Sequence, residues 1–421
     1  MELGDRLALA VWAFLLAGAV TLVATPIAAR LAHLVGAVDE PGDERRVHSH
    51  ATPLLGGVAV GLGVLASTLL FGDFQVTGAA GEARVEQLLA VLAGAAAVCV
   101  LGALDDIFDL RWWLKLAGQV GVALGAILGP LAGGAASAVS ELILPLQRLD
   151  PPLLAAWTLP AWLAVALAAL WIVALMNMMN FIDGVDGLAS GIAGIGAGTF
   201  AVIAASYSRM NVAILAAATA GAAVAFLRHN FRRSGASIFL GDAGSLLFGY
   251  LLAVISIQGV LKTAAAVSLI IPLAMLAVPI LDTLFVVSKR LKYNVSVASP
   301  DRWHLHHRLL NVGYSPRRVT YALWGWTASM SAVALALRFV DYGNSKAWEP
   351  RGLAILGAVG VLAVGVSVWI AVTLEIIKTR AVRDRNARLL AARVARGESG
   401  ARGAAEAGAA AVEASLGDPQ A

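Results

Sequence analysis

The stretch "WLAVALAALWIVALMNMMNFIDGVDGLASG" covers residues 162–191. Its first half is an apolar run that approaches the length of about 20 residues needed to cross bilayer hydrocarbon. Four polar side chains follow at intervals of three: Asn177, Asn180, Asp183 and Asp186. Steps of three on an α-helix turn by about 60° each, so one unbroken helix cannot direct all four at one site. We therefore expect the asparagines at the end of a membrane span, and the aspartates in a glycine turn that caps the next helix.

Apolar runs of this kind recur along the whole chain. Of its 421 residues, 59% are hydrophobic and only 14% are charged, whereas roughly a quarter are charged in soluble domains. About eleven runs could span a membrane: 8–35, 54–71, 86–104, 116–134, 154–176, 188–205, 211–227, 242–260, 264–287, 320–339 and 353–376. The sequence therefore predicts an all-α polytopic integral membrane protein with about eleven transmembrane helices.

Lys and Arg are concentrated in alternate connecting segments. The richest are residues 288–318 and the tail from residue 377, and positive charge marks the cytoplasmic side of a membrane protein. This bias predicts an N-terminus outside and a cytoplasmic C-terminus. We expect one membrane-embedded domain over residues 1–376. Residues 377–421 would form a basic surface helix that continues into Ala/Gly-rich sequence.

With this topology, every cluster of Asp, Asn, His and Gly lies on the cytoplasmic side. The outer loops, such as "SYSRMN" and "IQGVLKT", are short or plain. A transporter of a nucleotide-sugar or lipid would need polar groups near mid-depth. The one-sided arrangement instead favours chemistry at the cytoplasmic interface, between a soluble and a lipid reactant.

Three acidic residues at the inner ends of spans are candidate cation ligands. Asp105 and Asp106 are adjacent, and Asp242 stands between glycines in "FLGDAGS". Neighbouring carboxylates repel unless a proton or a cation is present, and Mg²⁺ prefers carboxylate and phosphate oxygens. Lys115 would then face the phosphates. The alternatives are interfacial charge with a snorkelling lysine and, at Asp242, a helix cap with small-residue packing.

Three histidines lie in a basic loop: His304, His306 and His307. Arg302 and Arg308 flank them, and cationic neighbours favour binding of an anion such as pyrophosphate. A zinc site or a plain basic interfacial loop are the alternatives. Arg46 and His48 contribute a weaker signal of the same kind near the N-terminus.

Six segments in unbroken order resemble one family. They are "DEP…RRVHSHATPLLGG", "DDIFDLRWWLKLAGQ", "NMMNFIDGVDGLASG", "GDAGS", "PILDT" and "HLHH", between about residues 20 and 375. Together they resemble the polyprenyl-phosphate N-acetylhexosamine-1-phosphate transferases. These membrane enzymes move a sugar-1-phosphate from a UDP-sugar to a lipid phosphate.

The histidine loop points to one branch of this family. Leu305 interrupts the histidine run, which resembles the WecA/TagO group that uses UDP-N-acetylglucosamine. The member that makes cell-wall lipid I from a UDP-muramoyl-pentapeptide has three consecutive histidines, and it is the nearer alternative.

The resemblance implies a Mg²⁺-dependent transfer, with Mn²⁺ as a substitute, that releases UMP. Expected metal ligands are Asp242 and Asn180. Expected catalytic residues are Asp105, Asp106, Lys115 and Asp242. Expected substrate-binding residues are Asn177, Asp183, Asp186, Arg302, His304, His306, His307, Arg46 and His48. Asp282, in "PILDT", is either a supporting residue of the site or a packing residue.

The expected partners are UDP-N-acetylglucosamine, a polyprenyl phosphate and the membrane, with a homodimer as an option and no nucleic acid. The expected location is the cell membrane, with the active site on its cytoplasmic face.

Overall fold

The computed structural model describes residues 3–40, 51–74, 78–132, 160–259, 272–292, 304–341, 343–344 and 347–373. Nearly all of them are helical. The helices are α1 (Leu3–Val35), α2 (Gly56–Phe71), α3 (Gly78–Phe108), α4 (Trp112–Ala132), α5 (Ala161–Ile182), α6 (Leu188–Ser206), α7 (Met210–Asn230), α8 (Gly241–Gly259), α9 (Ala277–Lys292), α10 (Leu305–Asn311), α11 (Pro316–Phe339) and α12 (Pro350–Thr373). Two antiparallel pairs of two-residue strands complete the fold: β1 (Val38–Asp39) with β2 (Thr52–Pro53), and β3 (Gly343–Asn344) with β4 (Ala347–Trp348).

The described helices have the length and composition of a membrane bundle. Seven are apolar and long enough to cross a bilayer, and two shorter apolar helices cover Gly56–Phe71 and Trp112–Leu128. The prediction of an all-α polytopic membrane protein is therefore confirmed. The count of eleven spans and the placement of the two termini stay predictions, and the tail from residue 377 lies outside the described residues.

The helices α6, α7 and α8 form the centre of the bundle. Their apolar windows are mostly buried, whereas that of α12 is largely exposed. Burial of α7 depends on Ala and Gly, since α1 packs along α7 and a Cβ at Gly221 would meet the backbone of Phe14. Small residues allow membrane helices to approach closely, which gains packing contacts that lipid cannot supply. The centre is closely packed for this reason, and it carries polar residues at its ends.

The fifth predicted span differs from the structure in its position. The sequence suggested residues 154–176, whereas α5 covers Ala161–Ile182 and therefore includes Asn177 and Asn180. The asparagines do lie at the end of this span, as expected. The helix extends further towards the C-terminus than predicted because the two amides are satisfied by neighbouring helices, so they can stay within helical backbone.

The turn between α5 and α6 also differs from the prediction. Gly187 is the N-cap residue of α6 with φ of 74°, and no side chain caps this helix. The expectation that Asp183 and Asp186 cap the sixth span was wrong. Glycine provides the left-handed turn, and the Gly187 N–H donates instead to Asn230 Oδ1 at 2.7 Å.

Candidate active site

One end of the bundle brings together side chains from four helices. They come from the last turn of α3, the first turns of α4 and α8, and the last turn of α5. We call this set the helix cluster, and its members are Asp105, Asp106, Lys115, Asn180 and Asp242. The sequence predicted all five as site residues, and the structure places them in mutual contact.

Lys115 is the centre of the helix cluster. Its Nζ lies 2.9 Å from Asp105 Oδ2 and also contacts Asp242 Oδ2. The ammonium therefore bridges two carboxylates that come from different helices. Charge-assisted contacts of this kind are stronger than neutral hydrogen bonds, so the bridge fixes the ends of α3 and α8 to α4.

Asn180 holds the other oxygen of Asp242. Its Nδ2 donates to Asp242 Oδ1 at 2.7 Å and to Ser245 Oγ at 3.0 Å. An ionised carboxylate can only accept hydrogen bonds. The NH₂ end of the Asn180 amide, rather than its oxygen, therefore faces Asp242. Sequence reasoning missed Ser245, although its position one turn after Asp242 in "GDAGS" was an available signal.

Asp106 has a different environment from its neighbour Asp105. Its two carboxylate oxygens accept the backbone N–H groups of Asp242 at 2.8 Å and Ala243 at 3.1 Å. Backbone N–H groups in the first turn of a helix have no carbonyl partner within that helix. Asp106, which lies on α3, therefore caps the N-terminus of α8. A Cβ at Gly102 would clash with the same backbone, which explains how α3 comes close enough for this contact.

A loop that precedes α8 fixes the approach of Asp242. The Phe239 N–H donates to Pro53 O at 2.8 Å, and the Gly57 N–H donates to Leu240 O at 2.8 Å. Gly241 then adopts φ of 68°, a conformation that favours glycine. The chain therefore enters α8 at an angle that places Asp242 in its first turn.

The α5–α6 turn forms a second wall of the site. Burial raises the pKa of the Asp183 carboxyl well above its usual range, and the charge of Asp242 raises it further, followed by the charges of Asp186 and Asp106. The Asp186 Oδ2 accepts the Ala236 N–H at 3.2 Å. The turn therefore brings two further carboxyl groups beside the helix cluster, and the charge of Asp242 favours the neutral form of Asp183.

Asn230 holds this turn and was missed by sequence reasoning. It is buried, accepts from the Gly187 N–H, and donates to Ile238 O at 3.1 Å. It thus joins the α5–α6 turn to the loop before α8. An asparagine within "RHNF" carries no distinctive sequence signal.

The histidine loop lies against the α5–α6 turn. His304 Nδ1 lies 3.0 Å from Asp282 Oδ2, and the Leu305 N–H donates to Asp282 Oδ1 at 2.6 Å. Asp282 is buried, so it fixes both the His304 ring and the start of α10. The His304 ring also lies 5.4 Å from that of Phe181, centroid to centroid.

His306 is buried and lies directly above Gly184. A Cβ at Gly184 would clash with the His306 ring. Neither ring nitrogen has a hydrogen-bond partner among the described residues. Burial lowers the pKa of His306 well below its usual range, and His307 and His304 lower it further. The ring is therefore neutral at physiological pH, and it can accept at one nitrogen and donate at the other.

The other predicted site residues have separate outcomes. His307 lies beside His306, with ring centroids 4.2 Å apart. Asn177 lies one turn deeper in α5, and it contacts Gln119 rather than the helix cluster. Arg302, Arg46 and His48 lie outside the described residues.

The fold and this site together define a polytopic membrane protein with a charged site at one end of its helix bundle. Residues 88–260 match the family model described as glycosyl transferase family 4. The chain is 34% identical over 335 residues to a probable undecaprenyl-phosphate N-acetylglucosaminyl 1-phosphate transferase of Bacillus subtilis, covering 79% of this chain and 87% of the relative.

Two further relatives extend this similarity. A decaprenyl-phosphate N-acetylglucosaminephosphotransferase of Mycobacterium leprae is 32% identical over 376 residues, which are 83% of this chain and 88% of the relative. An undecaprenyl-phosphate alpha-N-acetylglucosaminyl 1-phosphate transferase of Yersinia pestis is 28% identical over 298 residues, which are 69% of this chain and 74% of the relative. The chain belongs to the polyprenyl-phosphate N-acetylhexosamine-1-phosphate transferase family.

Proposed function

We propose that this protein transfers N-acetylglucosamine-1-phosphate from UDP-N-acetylglucosamine to a membrane polyprenyl phosphate. An oxygen of the lipid phosphate attacks the β-phosphorus of the nucleotide sugar. The bond from that phosphorus to the bridging oxygen breaks, and UMP leaves with the electron pair. The product is polyprenyl-diphospho-N-acetylglucosamine. The activities for which three relatives are named, each of which aligns with most of the chain, support this choice.

The observation that carries the proposal is the helix cluster. Asp105, Lys115 and Asp242 meet at the end of apolar helices, where a lipid phosphate and a soluble nucleotide could both arrive. Phosphoryl transfer depends on positioning and on charge stabilisation more than on covalent help from the protein. A site of fixed charges between rigid helices suits that requirement.

The donor set of the helix cluster fits Mg²⁺. In the described part of the chain, no three Asp, Glu, His or Cys side chains form a metal site by themselves. Mg²⁺ usually takes only one or two carboxylates and completes its shell with water and substrate phosphate. Asp242 would hold it, with Asn180 coordinating through Oδ1, opposite the Nδ2 that donates to Asp242. When bound, Mg²⁺ would neutralise charge on the pyrophosphate.

The chain's own residues have separable roles in this reaction. Lys115 pairs with the phosphates, and Asp105 orients the lipid phosphate or takes its residual proton. Asp106 keeps Asp242 in place through the backbone of α8. Asp183 and Asp186 line the uridine side. His304, His306 and His307, with Arg302, hold the sugar phosphate.

The proposed location is the cell membrane, with the site on the cytoplasmic face. Lys and Arg are abundant in the segments that join the helix ends around the site, and positive charge favours the cytoplasmic side.

The direct test incubates purified protein with labelled UDP-N-acetylglucosamine, polyprenyl phosphate and Mg²⁺. We expect UMP and a labelled diphospho-lipid in equal amounts, no product after divalent cations are removed, and recovery with Mg²⁺ or Mn²⁺. Product from a UDP-muramoyl-pentapeptide instead would move the chain to the lipid I branch. Transport of the nucleotide sugar without UMP release would contradict the enzyme assignment.

A further inference from the structure

Gln119 and Asn177 form an amide pair between α4 and α5, in which Gln119 is buried and Asn177 is half-buried. Asn177 Nδ2 donates to Gln119 Oε1 at 2.6 Å, and Gln119 Nε2 donates to Asn177 Oδ1 at 3.4 Å. Gln119 has no exposed surface. A buried amide without a partner destabilises the folded state, so Gln119 depends on Asn177 for its hydrogen bonds.

On both α4 and α5, the residue of this amide pair lies next to a residue of the helix cluster. Gln119 follows Lys115 by four residues on α4, and Asn177 precedes Asn180 by three on α5. Side chains three or four residues apart share one face of a helix. The amide pair therefore lies one helical turn from the contacts that Lys115 and Asn180 make with Asp242.

Asn177 has little hydrogen-bonding capacity left for a substrate. Both hydrogens of its Nδ2 are engaged, one by Gln119 Oε1 and the other by Val173 O at 2.8 Å. Its Oδ1 faces Gln119 Nε2. A residue that bound substrate directly would have to give up part of this arrangement.

We propose that Gln119 is a positioning residue, with Asn177 as its partner. The pair holds α4 against α5 in one register, so that the Lys115 ammonium stays between Asp105 and Asp242. This assignment replaces the expectation that Asn177 binds substrate. It rests on the proposed function, because turnover is its readout.

The test is a double-mutant cycle with Gln119→Met, Asn177→Leu and both together. We expect each single variant to lower kcat about tenfold and to leave the KM for UDP-N-acetylglucosamine within about twofold. We expect the double variant to be no slower than the slower single variant, because the two side chains act as one unit. If a single variant does not fold, the double variant remains informative, since it leaves no amide unpaired.

Three outcomes would overturn the proposal. One is a wild-type kcat in the single variants. If only the double variant folds, a wild-type kcat in the double variant counts in the same way. Another is a double variant as slow as the product of both single effects. The third is a KM that rises for Asn177→Leu alone. A fall in stability without a change in kcat per folded molecule counts as the first outcome.

A matched control separates positioning from general stability. Ser256 is buried and accepts from Trp171 Nε1 at 3.0 Å, which joins α5 to α8 away from the helix cluster. Ser256→Ala should lower thermal stability and keep wild-type kcat. Wild-type turnover is measured first, so that failure of the proposed function is distinguished from failure of this inference.

Discussion

The helix cluster and the histidine loop differ in how their polar atoms are satisfied. In the helix cluster, both carboxylate oxygens of Asp242 and both of Asp106 have partners from other parts of the chain. In the histidine loop, His306 is more deeply buried than these half-buried carboxylates, yet neither ring nitrogen has a partner among the described residues. Among the described residues, the carboxylates of the helix cluster are already held by protein partners, whereas His306 has an unused donor and an unused acceptor.

This difference separates two tasks within one site. A cluster that is already ordered loses little entropy when a phosphate arrives, which suits the stabilisation of a transition state. A buried histidine without partners gains hydrogen bonds only when a ligand enters. We therefore expect substitutions in the helix cluster to lower kcat and substitutions in the histidine loop to raise KM.

The largest effect should come from Asp242→Asn. We expect a loss on the order of a thousandfold in kcat, since several kcal/mol of charge stabilisation would be removed. The variant should still insert and fold, because an amide can keep one contact to Asn180. Turnover and thermal unfolding are measured side by side, with Asp73→Asn as a control at the opposite end of α2. Near-normal turnover at saturating Mg²⁺ would refute the metal assignment.

A smaller and pH-dependent effect should follow from Asp105→Asn. The lipid phosphate has a second pKa of about 6, by analogy with phosphorylated side chains. Proton removal by Asp105 therefore matters most at a pH at which the lipid phosphate still carries a proton. We expect a loss of about a hundredfold near pH 6, within the usual range for general-base help, that shrinks above pH 8.

A measurement on the wild-type protein tests whether the attack is direct. Without lipid, the wild-type protein and UDP-N-acetylglucosamine should give no burst of UMP, because an anionic lipid phosphate held beside the β-phosphorus needs no covalent intermediate. A stoichiometric burst, or a labelled peptide with Asp105 or Asp106, would support double displacement instead.

The histidine loop should show the opposite kinetic pattern. His306→Ala removes a donor and an acceptor from a buried position, so we expect the KM for UDP-N-acetylglucosamine to rise about tenfold, which is the worth of one hydrogen bond. The value of kcat should change less. His33→Ala, at an exposed position, is the control. A tenfold loss in kcat with unchanged KM would erase the distinction between the two regions.

The sequence was sufficient for the all-helical membrane class and for most of the helix cluster. Apolar length indicated many of the described helices, but the fifth predicted span was displaced from α5, and the count of eleven stays a prediction. Polar residues at the ends of the apolar runs identified Asp105, Lys115, Asn180 and Asp242. It could not separate Asp106 from Asp105, because the cap on α8 arises from a contact between residues more than 130 positions apart. Gln119 was missed for a related reason, since a single amide within an apolar helix reveals its partner only after the helices pack.

Asp183 lies between the two regions and should give the smallest effect. Its pKa is raised in the folded protein above a value of about 3.9 in the unfolded chain. The stability that a protonated Asp183 provides is complete below about pH 3.9 and is lost as the pH rises through the folded pKa. Asp183→Asn should therefore raise the apparent Tm at pH 7.5 by on the order of a degree or two, and the gain should vanish toward pH 4.

The same substitution should lower turnover if Asp183 lines the uridine side of the site, as proposed above, because it removes a carboxyl group there. A gain in stability together with a loss of activity is the expected signature of a residue retained for function rather than for folding. Thermal unfolding across pH, with Asp73→Asn as the control, measures the first part, and UMP release measures the second. If Asp183→Asn lowers the Tm at every pH, the carboxylate instead holds the α5–α6 turn together, and the histidine loop above Gly184 depends on it for its position.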